Sequence, residues 1–164
     1  MAASAPRGPG IAPTASVHPD AKLGRDVAIG HGTVVHGNVK IGDGTRVDPF
    51  CILGYPTGRP QSSLRIGRDS LVRSHSVLYE GSTLGDGLET GHNVLIREGT
   101  TAGTNLRVGG QCQVQGDCVL GDYVRLHTSV QVGKGTRIGD FVWVFPNVVF
   151  TNDPLPPSEV EAPA

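Results

Sequence analysis

Aromatic residues are scarce in this chain: three Tyr, four Phe and one Trp make up 5% of its 164 residues. A nucleic-acid surface needs stacking rings beside a basic stripe, and here the net charge is −1 with acids and bases interspersed. DNA and RNA are therefore not expected partners. The three cysteines, Cys51, Cys112 and Cys118, are odd in number and form no CxxC pair, which argues against both a disulfide framework and a zinc knot. No apolar run reaches the length needed to cross a bilayer, and the opening MAASAPRGPGIAPTAS lacks the apolar stretch of a secretion signal. The expectation is one soluble, cytoplasmic domain with no membrane partner.

What the chain does have is a period of six. Val17, Leu23, Ile29, Val35, Ile41, Val47 and Leu53 fall in one register. After a break the register resumes at Ile66 and holds through Val72, Leu78, Leu84, Thr90, Ile96 and onward to Val144 and Phe150. Four residues after each stands a smaller side chain, such as Val27, Thr33, Thr45, Cys51, Ser76, Ser82, Thr100 or Cys118, and Gly often follows the aliphatic residue directly. A helix wants apolar positions three and four apart, and an amphipathic strand wants strict alternation. A six-residue repeat fits neither. It fits a short β-run, a sharp corner relieved by Gly, and another short run, with one large side chain per run pointing inward.

Three such hexads close a triangular turn, so residues 18 apart stack about 4.8 Å above one another in parallel. About seven coils are expected, roughly 34 Å long, spanning residues 15–153. Residues 1–14 read as a loosely ordered N-terminal segment and 154–164 as a Pro-rich acidic tail. From Leu53 to Ile66 the chain carries seven residues too many for one hexad. The segment 54–65, rich in Gly, Pro and Ser, is therefore an inserted loop, either a tolerated surface excursion or a wall of a neighbouring site.

Counting by 18 assigns the hexads to three faces. The face of Leu23, Ile41, Leu84, Leu120 and Ile138 is monotonous and structural. The face of Ile29, Val47, Val72, Thr90, Val108 and Leu126 carries His31, His75, His92 and His127, with His92 and His127 about two coils, or roughly 10 Å, apart. Imidazole is the side chain best suited to take a proton near neutral pH. Attack of a hydroxyl or amine on a thioester needs such a base and an amide N–H for the oxyanion, which the corners can supply. The competing reading leaves each histidine as a solvated corner residue.

The repeat is the pattern of the hexapeptide-repeat, left-handed parallel β-helix superfamily, which the chain resembles from about Val17 to Asn152. The segments LVRSHSVLYEG (Leu71–Gly81), TGHNVLIRE (Thr90–Glu98) and VFPNVVFTNDPLPP (Val144–Pro157) are similar to the branch of hexapeptide acyltransferases that acylates sugars, especially nucleotide-linked amino sugars. The resemblance implies the hand of the helix, a homotrimer, and acyl-CoA lying between subunits and along the helix axis toward the C-terminal coils. It implies His92 as general base, with Asn93 holding the acceptor or the thioester carbonyl; His127, which the family pattern does not assign, stands beside them as a candidate from the face count. It places Phe145, Pro146, Asn147, Thr151 and Asn152 near acetyl-CoA, whereas Arg97 and Glu98 read as a structural pair. The function expected is acetyl transfer from acetyl-CoA to the amino group of a nucleotide-linked sugar, with no metal.

O-acetylation of a hydroxyl is the near alternative, because base and oxyanion donors serve both nucleophiles. Two others stand further off. A γ-carbonic-anhydrase-like metalloenzyme is suggested by the histidine pair of GHGTVVHG at Gly30–Gly37, but the third ligand its geometry needs is missing. A catalytically silent β-helical scaffold would need no polar edge.

Overall fold

The structure is a computed structural model that describes residues 10–58 and 62–152. Among these residues, twenty-three short strands make three parallel sheets of eight, eight and seven strands. The first sheet runs from Gly10–Ile11 to Trp143–Val144, the second from Ser16–Val17 to Val149–Phe150, and the third from Lys22–Leu23 to Arg137–Ile138. Paired residues differ by 18, as in Glu89 with Arg107 and Arg107 with Arg125. Across the loop the offset is 25, as in Arg46 with Leu71, so the seven inserted residues shift the count without disturbing the register. This is the expected left-handed parallel β-helix of hexapeptide repeats, between seven and eight coils high.

The core is a single column, because each two-residue strand sends one side chain inward. Leu53, Leu78, Ile96, Val114 and Val132 stack in consecutive coils of the second sheet and are all fully buried. The small position also ties coils together. Thr33 Oγ1 donates to Asp48 O, Ser82 Oγ to Arg97 O and Cys112 Sγ to His127 O, each bond reaching a corner of the next coil. A hydroxyl or thiol is thus satisfied where a larger polar group would not fit. Burial pushes the Cys51 thiol up to about 11, so that it packs rather than reacts.

Two expectations change. Ile11 stands six residues before Val17, and Gly10–Ile11 pairs with Ala28–Ile29, so a coil is already formed at residues the repeat count left in the N-terminal segment. Glycine's part at the corners also differs. The residue that turns with positive φ lies three places after the inward side chain and is often Asp, Asn or another non-glycine, such as Asp26, Asn93, Asn105 or Phe141. The Gly directly after the aliphatic residue serves close approach instead. A Cβ on Gly42 would lie 2.6 Å from Arg68 N, and one on Gly85 2.5 Å from Gly103 O.

The loop is shorter than its sequence suggests, since Ile52–Tyr55 and Leu64–Ile66 are strands on either side of it. Glu80 holds it. Its carboxylate accepts from Thr57 N–H (2.7 Å), Thr57 Oγ1–H (2.8 Å) and the Asn38 amide, which also donates to Ser62 O. Burial alone would raise the Glu80 pKa, but these donors outweigh it and hold it below the usual carboxylate range. Arg97 and Glu98 form the expected pair, at 3.0 Å.

Candidate functional site

The corner between the first and second sheets collects the chemistry. Three residues make each turn. Up the solenoid, the first turn position reads Arg73, Gly91, Gly109, His127, Phe145, and the second reads Ser74, His92, Gly110, Thr128, Pro146. On the adjoining sheet face the outward side chains are Leu71, Glu89, Arg107, Arg125 and Trp143.

Gly91 and Gly109 leave two successive coils bare between Arg73 and His127. Neither could carry a side chain: a Cβ on Gly91 would lie 2.3 Å from Gly110 N, and one on Gly109 2.5 Å from His127 C. The notch opens into a groove of about 360 Å³ lined by Arg73, Glu89, Arg107, Arg125, His127, Thr128 and Trp143, among others. Arg107 reaches Glu89 at 3.4 Å. Arg73 and Arg125 meet no carboxylate at ion-pair distance among the described residues, so the groove carries an excess of positive charge.

His92 is exposed at the lip of this region, and its Nδ1 is hydrogen-bonded to Ser74 Oγ at 2.7 Å. Ser74 lies one coil below, 18 residues earlier. With Nδ1 engaged, Nε2 is left without a hydrogen bond among the described residues, and it is the nitrogen a general base would use. Asn93 turns the corner with φ 57° and donates its N–H to Ser74 O. One coil above, Gly109 N and Gln111 N are bonded to neighbouring coils, whereas Gly110 N makes no hydrogen bond among the described residues.

His127 is two coils from His92, as expected, but one place earlier in its turn, so the two imidazoles occupy adjacent rows. It lines the groove and His92 does not. Its ring runs nearly parallel to Trp143 (centroids 5.4 Å, 13°) and to Phe145 (6.2 Å, 9°). The residues expected near acetyl-CoA divide between two corners. Phe145, Pro146 and Asn147 sit above His127. Thr151 and Asn152 sit on the next corner and line, with Gln115, Gln131, Val149 and Phe150, a separate hollow of about 420 Å³.

Sequence reasoning missed Ser74, Arg73, Arg107, Arg125 and Trp143. Stepping by 18 through outward positions, rather than inward ones, would have found them. The histidines of GHGTVVHG lie on different corners, His31 bonded to Thr14 Oγ1 and His36 after the strand Val34–Val35. Among the described residues no group of three or more His, Cys, Asp or Glu is placed to hold a metal ion.

The family model of the bacterial transferase hexapeptide (six repeats) matches residues 20–55. Two curated relatives are 29% identical over 45% of this chain. One is the bifunctional protein GlmU of Herminiimonas arsenicoxydans, of which 18% is covered. The other is the acyl-[acyl-carrier-protein]–UDP-N-acetylglucosamine O-acyltransferase of Thermodesulfovibrio yellowstonii, of which 38% is covered. The match thus spans well under half of either relative. Among solved structures, the UDP-N-acetylglucosamine acyltransferase of Francisella novicida superposes with a TM-score of 0.66 at 20% identity, over 85% of this chain and 62% of that one. The repeat is matched in sequence over residues 20–55, its register continues to Phe150, and the chain shares its fold with these hexapeptide-repeat acyltransferases.

Proposed function

We propose that the protein is an acyltransferase that moves an acetyl group from acetyl-CoA to the amino group of a nucleotide-linked sugar. The observation that carries this reading is His92: Ser74 engages its Nδ1, Nε2 is left as a base, and a side-chain-free notch opens beside it. In the reaction, Nε2 takes a proton from the acceptor amine as the nitrogen attacks the thioester carbonyl. The tetrahedral oxyanion takes a hydrogen bond from a corner amide, for which Gly110 N–H is the free donor. Collapse expels the CoA thiolate, which the protonated imidazole reprotonates. Asn93 holds the acceptor or the carbonyl, and His127 lines the groove above. The names of the curated and structural relatives, acyltransferases among them, support acyl transfer.

Trimer assembly belongs to the same proposal. On the outer face of the second sheet Val34, Ile52, Val77 and Leu95 form a half-buried aliphatic row over four coils, with no covering element among the described residues. Packing it against another copy would bury it. It would also allow Phe145, Pro146 and Asn147 of one subunit to share acetyl-CoA with Thr151 and Asn152 of another, which one chain holds on separate corners.

The test is thiol release from acetyl-CoA across nucleotide-linked amino sugars, plain amino sugars and sugars bearing only hydroxyls. Turnover confined to amino sugars supports the proposal. Turnover on hydroxyl-only sugars would replace it with O-acylation. Silence throughout, together with no calorimetric CoA binding, would sink acyl transfer altogether.

A further inference from the structure

Half of the chain's eight aromatic residues cluster on the last two coils beside the groove: Tyr123, Phe141, Trp143 and Phe145. A core would hide such rings, yet Phe141, Trp143 and Phe145 are 75%, 59% and 68% exposed. The His127, Trp143 and Phe145 planes lie within 13° of one another, so they present a common orientation to an incoming ring. Directly below Trp143 in the same sheet lies Arg125, and below that Arg107, in consecutive paired positions.

Two arginines opposed on neighbouring strands repel each other. Only Arg107 has a carboxylate near it, Glu89, while Arg125 has none among the described residues. Two arginines on another corner are paired across coils, Arg25 with Asp43 and Arg68 with Asp86, whereas Arg73, at the lower end of the groove, shares the unpaired state of Arg125 among the described residues. Of these two, Arg125 stands where the open groove adjoins the flat rings. A planar apolar ring and an anionic group about 5–10 Å away, one to two coil spacings, would satisfy both features together.

We infer that the Trp143–Arg125–Arg107 row is a nucleoside diphosphate subsite, with the base against Trp143 and the phosphates on Arg125 and Arg107. The inference deepens the proposed function and rests on it for the identity of the carrier. Both substrates of that reaction contain this chemistry: a nucleotide-linked sugar directly, and coenzyme A in its adenosine diphosphate portion. Binding itself does not depend on acyl transfer.

Trp143 is the single tryptophan of the chain, so its emission reports on this row alone. The experiment titrates the full-length protein with UDP, coenzyme A, uridine and inorganic pyrophosphate, following Trp143 fluorescence and calorimetry. At least one nucleotide should change the emission saturably and bind at least tenfold more tightly than either uridine or pyrophosphate. A preference for UDP assigns the row to the acceptor, and a preference for coenzyme A assigns it to the donor. Arg125→Gln and Trp143→Leu, the latter followed by calorimetry, should each weaken the preferred nucleotide at least tenfold. Their urea midpoints should stay unchanged, and Trp143→Leu should leave pyrophosphate binding as it was. The inference is overturned by pyrophosphate binding as tightly as the nucleotide, by nucleotide affinity that survives both substitutions, or by no saturable binding at millimolar ligand. It is also overturned if Trp143 in the ligand-free protein is shielded from acrylamide, which would mean that a second copy covers it. UDP binding with neither thiol release nor coenzyme A binding would keep the subsite and sink the transferase. Thiol release with nucleotide affinity unchanged in both variants would do the reverse.

Discussion

Replacing Gly91 by Ala should destabilise the solenoid and close the candidate site, whereas the same change at Gly139 should do neither. Both glycines directly follow an inward-facing residue, Thr90 or Ile138, so sequence position alone does not distinguish them. At Gly91 the added methyl would meet Gly110 N at 2.3 Å, Gly110 Cα at 2.6 Å and Gly109 C at 2.8 Å. All three are backbone atoms and cannot rotate away. Restoring ordinary contact requires the next coil to rise by about 1 Å, against a coil spacing of about 4.8 Å. That spacing is held locally by Gly91 N to Val108 O at 2.6 Å and by Gln111 N to His92 O at 2.9 Å. Overpacking and weakening of these bonds should cost about 2–3 kcal/mol. In urea this lowers the unfolding midpoint by roughly 1 M, given a slope of about 1–3 kcal/mol per molar. Gly139 directly follows the last strand of its sheet, Arg137–Ile138, and among the described residues nothing lies within 4 Å of an added Cβ. There the variant should stay within about 0.5 kcal/mol of wild type or gain slightly from reduced unfolded-state entropy. Equal midpoints for the two variants would refute the argument that contact between successive coils, and not the corner's own backbone, requires glycine.

Ile96 is fully buried between Leu78 and Val114, and Ile96→Ala should cost about 2–5 kcal/mol in the same urea assay; a loss under 1 kcal/mol would contradict a close-packed single-column core. Glu80 has a lowered pKa in the folded state, so its contribution is complete above the unfolded value of about 4.3 and is lost as pH falls through the folded one. Stability measured from pH 7 to 3 should therefore fall more steeply for wild type than for Glu80→Gln at the acid end, and parallel curves would show that the loop anchor is not ionised. Under the proposed mechanism His92→Ala should lower kcat at least about 100-fold without loss of assembly or CoA affinity; near-normal turnover would point to His127 or to unassisted attack by the amine. Under the same mechanism Ser74→Ala should leave the urea midpoint unchanged and lower kcat while KM stays put, and Ser74→Thr, which keeps the hydroxyl, should restore kcat; an unchanged kcat in Ser74→Ala would show that the bond does not orient the base.

The inward half of this molecule was legible because one large side chain per strand fills a column with no alternative packing. The period survives wherever a strand does. Even the insertion could be counted as seven residues, and the 25-residue offset across it is the structural form of that count. The outermost coil escaped because Ile11 lies among Pro, Gly and Ala, where one in-register residue is too little signal. Glycine's purpose was misjudged for a different reason. In one dimension the residue that turns the chain and the residue that lets the next coil approach are neighbours, and only the stacked coils separate them.

The outward half obeys the same 18-residue step, but nothing in composition marks it, because solvent tolerates any side chain there. Its information lies in what repeats vertically. Ser74 beneath His92 is a hydrogen bond, Arg107 beneath Arg125 a repulsion, Gly91 beneath Gly109 a gap, and Trp143 above Arg125 a ring over a charge. Each relation joins residues 18 apart that look unrelated along the chain. A parallel β-helix thus writes its core with period six and its surface with period 18. A site on such a scaffold is read down the columns, where an unpaired charge or a missing side chain stands out against the residues directly above and below it.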